Sequence, residues 1–430
     1  MVNDSRSTAL FERACRALAG GVNSPVRAMA AIGRTPLFIE RGAGAEIFDV
    51  DRNSYVDYVC SWGALIAGHA HPSVVDAVCA AAELGTTYGA PTAAEVELAE
   101  EVSRRVPGAE MLRMTSSGTE AAMTAVRIAR AATGRDAVVK FAGAYHGHSD
   151  GLLAQAGSGL ATQGIPASPG IPASATAATI VVPWNDREAL AAATAQENLA
   201  AIIAEPCPAN MGLVAPEEGF LELLRERADA AGALLIFDEV ISGFRVGRGG
   251  AGARAGVRAD LLVLGKILGG GLPAAAVAGP RRLLELLAPA GEVYQAGTLS
   301  GNPLAVAAGL ATLALLDGPA YERLQRTTER LAGGLREAAD GLPVSVVSTT
   351  GLLTVFFAAE SPQNLRQAQA CDSARYGVFC RELLARGVYA PPSQFEAWFP
   401  SLAHGDADVD RTVAAAAGAF AAVAAMRSAS

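Results

Sequence analysis

Residues 233–240 read ALLIFDEV, five apolar positions in succession closed by two carboxylates. A run with no polar alternation has no face to offer water, so as a strand it must be covered on both sides. The same texture recurs in AVVKF (137–141), TIVVP (179–183), LAAIIAEP (199–206) and DLLVLGK (260–266). Helical patterns lie between such runs, AAEVELAEEVSRRV at 93–106 and EEGFLELLRERADAAG at 217–232. Buried strands alternating with helices predict an α/β fold, a mainly parallel, doubly wound sheet with helices on both faces. Such sheets carry their chemistry beyond the carboxyl ends of the strands. Polar residues that punctuate the apolar runs are therefore candidates: Lys140, Glu205, Asp238 and Lys266.

Outside this core the pattern changes. PLFIERGAGAEIFDVDRNSYVDYV (36–59) and PVSVVSTTGLLTVFFAAE (343–360) alternate in the manner of antiparallel strands, the first with a turn at Asp51 to Ser54. The expected organisation is an N-terminal segment 1–60 and a C-terminal segment 316–430 that together form a smaller α+β domain, around a large domain at 61–315. The first residues are expected to form a helix capped by Ser7 or Thr8, with Leu10, Phe11, Ala14, Ala17 and Leu18 on one face. No basic segment followed by an apolar one opens the chain, and its most apolar stretches are shorter than the roughly 20 residues that cross a bilayer. The 430 residues hold 34 Lys plus Arg against 43 Asp plus Glu, a net charge of -9 without a basic cluster, which argues against nucleic acid. Six scattered cysteines form no CxxC pair. A cytoplasmic enzyme without membrane or nucleic-acid partners is the expectation.

Lys266 poses the chemical question. In LLVLGKILGGGLP (261–273) it sits where the pattern predicts interior. Its plain reading is a lysine snorkelling out of a strand end. In a dry site, however, the neutral amine is favoured, and a neutral amine condenses with an aldehyde. The three following glycines would then let a planar group approach the backbone. Asp238, at a buried strand end, needs a partner: a structural salt bridge or a helix N-cap on the plain reading, or a protonated ring nitrogen. Ser116, Ser117, Gly118 and Thr119 precede a helical run with Glu120 in its first turn, which reads either as an ordinary cap or as an amide cup for a phosphate. Tyr145, in the loop FAGAYHGHSD (141–150), can stack on a flat ring or pack against its neighbours. Taken together, a lysine, a strand-end aspartate, a phosphate cup and an aromatic are what pyridoxal 5'-phosphate requires.

These motifs, with GGVNSPVRA (20–28), SWGALIAGHAHP (61–72), YQAGTLSGNPLA (294–305) and PPSQFEAWFPSLAH (391–404), resemble the class III aminotransferase group of fold-type I pyridoxal phosphate enzymes, specifically its aminomutase branch. The resemblance implies that Lys266 binds the cofactor covalently, that Asp238 partners the ring nitrogen and that Tyr145 stacks on the ring. It implies cofactor contacts from Ser117, Gly118, Thr119, Glu205 and Asn210, and from Thr298 reaching over from the second subunit of a homodimer. It implies substrate contacts from Ser24, Arg27, Trp62, Ser158 and Glu396, with Arg27 as carboxylate anchor. The implied activity is the conversion of glutamate 1-semialdehyde to 5-aminolevulinate, a tetrapyrrole precursor, through a diamino intermediate, with pyridoxamine 5'-phosphate in the cycle. Trp398, two residues after Glu396, stands where the pattern leads one to expect glycine, a change beside the substrate region that could reshape the pocket. Gln155 to Ser174, rich in glycine and proline, is expected to act as a lid. Two other readings stay open: a class III enzyme acting on a different amino acid, and a metallohydrolase using the pairs His69/His71 and His146/His148.

Overall fold

The computed structural model describes residues 3–154 and 168–426. A small sheet comes first, β1 (Ile39–Ala43), β2 (Glu46–Asp49) and β3 (Ser54–Asp57), paired antiparallel in sequence. The large sheet follows with β4 (Met111–Thr115), β5 (Ala137–Phe141), β6 (Thr179–Val182), β7 (Leu199–Ala204), β8 (Leu234–Asp238), β9 (Leu261–Leu264) and β10 (Ala275–Gly279). Its order is β4-β10-β9-β8-β7-β5-β6, and β10 alone runs antiparallel to its neighbours. A hairpin, β11 (Ser345–Thr349) and β12 (Leu352–Phe356), precedes the short β13 (Val388–Tyr389). The mixed, mainly parallel sheet is the one that the apolar runs predict. Two of its strands escape that criterion: β4 reads MLRMT and is only partly buried at the sheet edge, and β10 reads AAVAG, whose small residues carry little hydrophobic signal.

The period of two sorts each strand between two cores. Val138, Ala201, Ile203, Ile236, Leu261, Val263 and Val277 face one way, onto the helix Gly118–Thr133 through Ala121, Ala125 and Ile128. Val139, Ile202, Leu235, Phe237, Leu262 and Leu264 face the other way, onto the helices at Ala93–Arg105, Phe220–Ala231 and Pro303–Ala314. Each buried Val, Leu, Ile or Phe among them contributes about 1.5–3 kcal/mol, which holds in place the strands that carry the candidate residues.

The chain ends meet in a separate core. Tyr55 and Val56 from the start pack with Leu331, Leu335, Phe379 and Phe420 from the end, and β13 adds to the small sheet parallel to β3. The first helix, Ser5–Ala17, departs from expectation. Asp4 occupies its N-cap, while Ser7 lies inside the first turns and is buried, its amide donating to Asp51 at 2.9 Å. An acid forty-odd residues away replaces the local cap.

Candidate active site

One cavity of about 360 Å³ opens beyond the carboxyl ends of β7, β8 and β9 and gathers Ser117, Gly118, Thr119, Tyr145, Glu205, Asn210, Asp238 and Lys266. Lys266 follows β9 after a single glycine and takes a left-handed backbone, φ +48. Burial lowers the pKa of its amine, against the pull of Asp238, Glu396 and Glu205, which favour the cation. The nitrogen is thus biased toward the nucleophilic free base. Of the glycines that follow, only Gly271 lines the cavity. Gly270 serves packing instead, since a Cβ there would collide with the carbonyl oxygen of Ala308 in the helix Pro303–Ala314.

Asp238 ends β8 almost fully buried. Its Oδ2 meets His146 Nδ1 at 2.8 Å and its Oδ1 accepts the Val240 amide at 3.1 Å. His146 is the partner that sequence reasoning missed. The signal was the buried strand-end acid itself, which demanded a donor, and a histidine adjoining the ring-stacking candidate could supply it. The other ring nitrogen, Nε2, is buried without a partner among the described residues. Glu205 accepts three hydrogen bonds, from the Tyr145 amide at 2.8 Å, Asn210 Nδ2 at 2.9 Å and the Ala209 amide at 3.0 Å. Burial raises its pKa, and nearby His146 acts in the opposite sense. This carboxylate sets the loop carrying Tyr145, whose ring is 39 % exposed on the cavity wall.

The helix start is narrower than the sequence implies. Glu120 turns back and accepts the amides of Ser116 at 2.7 Å and Ser117 at 3.0 Å, while the Ser117 hydroxyl accepts the Glu120 amide. This reciprocal cap leaves the amides of Gly118 and Thr119 ahead of the helix's own bonding, on two residues that line the cavity. Two amides, the positive end of a sixteen-residue helix and the hydroxyls of Ser117 and Thr119 suit a phosphate. A flat ring with a phosphate arm, an acidic partner for its nitrogen and a lysine for its aldehyde match this set of donors.

Comparison with known proteins now decides the family. The aminotransferase class-III family profile matches residues 29–416. The chain belongs to the class-III aminotransferases. It is 53 % identical over 415 residues to the glutamate-1-semialdehyde 2,1-aminomutase of Desulfitobacterium hafniense, covering 95 % of this chain and 96 % of that one. It is 54 % identical over 421 residues to the enzyme of the same name from Syntrophobacter fumaroxidans, covering 96 % and 97 %. Among solved structures, an omega-transaminase from Sphaerobacter thermophilus superposes with TM-score 0.90 at 33 % identity, over 98 % of both chains. A lysine-to-alanine variant of a glutamate-1-semialdehyde-aminomutase from Pseudomonas aeruginosa PAO1 in complex with PMP superposes with TM-score 0.86 at 28 % identity, over 97 % of this chain and 94 % of that one.

In this class-III aminotransferase the residues expected on the substrate side are more scattered. Glu396 is buried and close enough to Lys266 to favour its charged form. Trp62 is half-buried and closes a run of three left-handed residues, Cys60 (φ 44), Ser61 (φ 52) and Trp62 (φ 58). Such backbone costs about 1–2 kcal/mol per non-glycine residue. Ser24 is half-buried and Arg27 exposed, neither lining the cavity, although the guanidinium acts on the Tyr389 hydroxyl. Thr298 is exposed and outside its own chain's cavity. Ser158 lies outside the described residues, as does most of the expected lid, residues 155–167.

Three possibilities that the sequence left open are closed by the structure. Trp398 does not face the cavity: it is fully buried against Tyr58 at 5.5 Å and Phe379 at 6.4 Å, in the core formed by the chain ends. Its backbone pairs with Leu353, which turns the side chain into that core. Lys140 does not reach the cavity either. It is fully buried and donates to the carbonyls of Leu152 at 3.0 Å and Ala154 at 2.8 Å, with burial lowering its pKa to about 8. The histidine pairs do not converge. His69 bonds Asp57 at 2.7 Å, His146 bonds Asp238, and His71 heads the helix Pro72–Leu84. No group of three metal-ligating side chains occurs among the described residues.

Proposed function

We propose that this enzyme is an isomerase that moves an amino group within one substrate, converting glutamate 1-semialdehyde to 5-aminolevulinate, a step toward tetrapyrroles. The observation that carries the reading is that Lys266 and Asp238 line one cavity with the start of the helix Gly118–Thr133, in a chain more than half identical to the named aminomutases. Pyridoxal 5'-phosphate, cycling with its pyridoxamine form, supplies the transferable amine and the electron sink when bound. Ser117, Gly118 and Thr119 hold the phosphate by amides and hydroxyls. Asp238 Oδ2, steadied by His146, keeps a proton on the ring nitrogen. Tyr145 covers one ring face, on a loop fixed by Glu205 and Asn210. Lys266 Nζ, as free base, takes a proton from one carbon and returns it to another. Arg27 with Ser24 anchors the substrate carboxylate, and Trp62, Ser158 and Glu396 border it.

The resemblance to an omega-transaminase in backbone shape favours one rival, a two-substrate transamination. The test supplies glutamate 1-semialdehyde to the pyridoxamine-loaded enzyme with no other amine donor or acceptor. Sustained 5-aminolevulinate over many turnovers is expected. Product that forms only after a 2-oxo acid is added would refute the mutase reading.

We also propose that two copies pair, with Thr298 of each reaching the other's cavity. Supporting this, the mainly apolar helix Pro72–Leu84 buries none of its residues, Leu84 is 82 % exposed, and Tyr294, near Thr298, is 72 % exposed. Sedimentation of the parent as a dimer and of Leu84→Glu as a weaker one checks it. The proposed domains are 1–60 with 316–430 around 61–315, supported by the shared core of the chain ends. A cytoplasmic site fits six unpaired cysteines, and no single helix among the described residues is long and apolar enough to cross a membrane.

A further inference from the structure

Arg245 lies on the turn after β8, and its side chain is fully buried. Among the described residues no carboxylate pairs with it. Its guanidinium donates instead to three carbonyls from three distant stretches of chain: Gly63 at 2.7 Å, Gly351 at 3.1 Å and Pro400 at 3.1 Å. The Phe399 ring lies beneath it, 5.2 Å from centroid to guanidinium carbon. Burial of an arginine on neutral acceptors alone is costly, and burial lowers its pKa to about 10. A merely structural clamp could have been built without that cost, so the place it grips matters.

That place is the end of the left-handed run. Cys60, Ser61 and Trp62 hold positive φ, and Gly63 continues at φ 91. At the entrance, Asp57 fixes the turn by accepting the amides of Val59 at 2.8 Å and Cys60 at 3.1 Å. Within it, Cys60 O accepts the Leu65 amide at 3.1 Å. At the exit, the shortest of Arg245's bonds takes the Gly63 carbonyl, with Trp62 on one side and the cavity-lining Ala64 on the other. Strained backbone persists only where its surroundings over-determine it, and it concentrates at functional sites.

We propose that Arg245 is a positioning residue for substrate recognition: through the Gly63 carbonyl it locks the turn that presents Trp62 to the substrate side of the cavity. This rests on the reading of Trp62 as a substrate neighbour. Lysine at this position keeps the charge but loses the fork that grips three carbonyls. Arg245→Lys should therefore raise KM about tenfold, the worth of one charge-assisted hydrogen bond, with kcat and cofactor affinity close to the parent. Trp184 and Trp398 are 1 % and 0 % exposed, so acrylamide quenching reads Trp62. The part of the emission that Trp62→Ala removes should become more accessible in Arg245→Lys.

Ser61→Gly loosens the same turn without touching the buried guanidinium, and it relieves strain at φ 52. It should raise KM without lowering the melting temperature, and it carries the test if Arg245→Lys does not fold. In the double variant Arg245→Lys/Trp62→Ala, KM should be no higher than in Trp62→Ala alone. Full additivity, or KM unmoved in both Arg245→Lys and Ser61→Gly while Trp62→Ala raises it, overturns the role of Arg245 and leaves Trp62 in place. An unchanged KM in Trp62→Ala overturns both.

Discussion

Replacing Asp238 by asparagine removes a charge and almost nothing else. The side chain keeps its volume, and its remaining oxygen still accepts the Val240 amide, now 3.1 Å from Oδ1. The new NH2 group can donate to His146 Nδ1 across the present 2.8 Å contact if the imidazole carries its proton on Nε2. The fold should therefore survive, with a melting temperature near the parent's. The chemistry should not. Two opposite charges at hydrogen-bonding range in a partly screened site interact by about 4 kcal/mol, which is about a thousandfold in rate if the ring nitrogen's proton is needed only as charge develops. A second effect carries a definite sign. Asp238 is the foremost group opposing the burial that lowers the Lys266 pKa. Without it the lysine loses its proton at still lower pH. If turnover needs the free amine, the acid limb of the kcat profile moves to lower pH even as its height drops. The assay is kcat against pH for both proteins, with circular dichroism to establish folding. A thousandfold loss with an unmoved limb would detach Lys266 from Asp238, and an unaltered rate would refute the role of the aspartate.

Lys266→Ala should abolish turnover yet retain cofactor through the helix start, checked by the cofactor absorbance that remains after gel filtration. Arg27→Ala should raise KM for glutamate 1-semialdehyde by on the order of 2 kcal/mol, roughly thirtyfold, with kcat little changed, through loss of a charge-assisted pair. Stability should also depend on His404, whose pKa burial lowers to about 4, its ring stacked 4.5 Å from Tyr58. Between that value and the unfolded value near 6.5 the unfolded chain binds the extra proton, so acid favours unfolding. Thermal melts should lose up to about 3 kcal/mol from pH 6.5 to 4 on this account, and His404→Gln should flatten that part of the curve. An equal acid slope in the variant would place the sensitivity elsewhere.

Asp238 and Lys266 were legible because burial and charge conflict there, and that conflict is visible in a one-dimensional run of apolar residues. What the run cannot show is how the conflict is resolved. His146 lies 92 positions from Asp238 and joins it only when β5 and β8 come to flank β7. Glycines were legible as close approaches, but not what approaches: Gly270 meets a helix where a planar ligand was expected. Trp398 misled because two-residue proximity to Glu396 says nothing about facing, which its pairing with Leu353 decides. Glu120 was seen as a helix-start acid, yet that it withdraws two amides from the cup depends on a side-chain rotamer. Such errors share one cause: sequence spacing fixes the period of an element, whereas contacts between elements depend on tertiary geometry.

The pairing of β3 with β13 has a consequence for biosynthesis. Val56 must wait for Val388 before its strand is flanked on that side. At the usual pace of translation, about 5–20 residues per second, the delay is on the order of tens of seconds. Throughout it Ile47, Tyr55 and Val56 have none of the C-terminal partners that later cover them. The large sheet, by contrast, is complete once β10 has left the ribosome. The nascent chain thus holds a complete large sheet, still without the helix Pro303–Ala314 on one face, beside a beginning that waits longest for its partners, and a chain released early keeps that start uncovered.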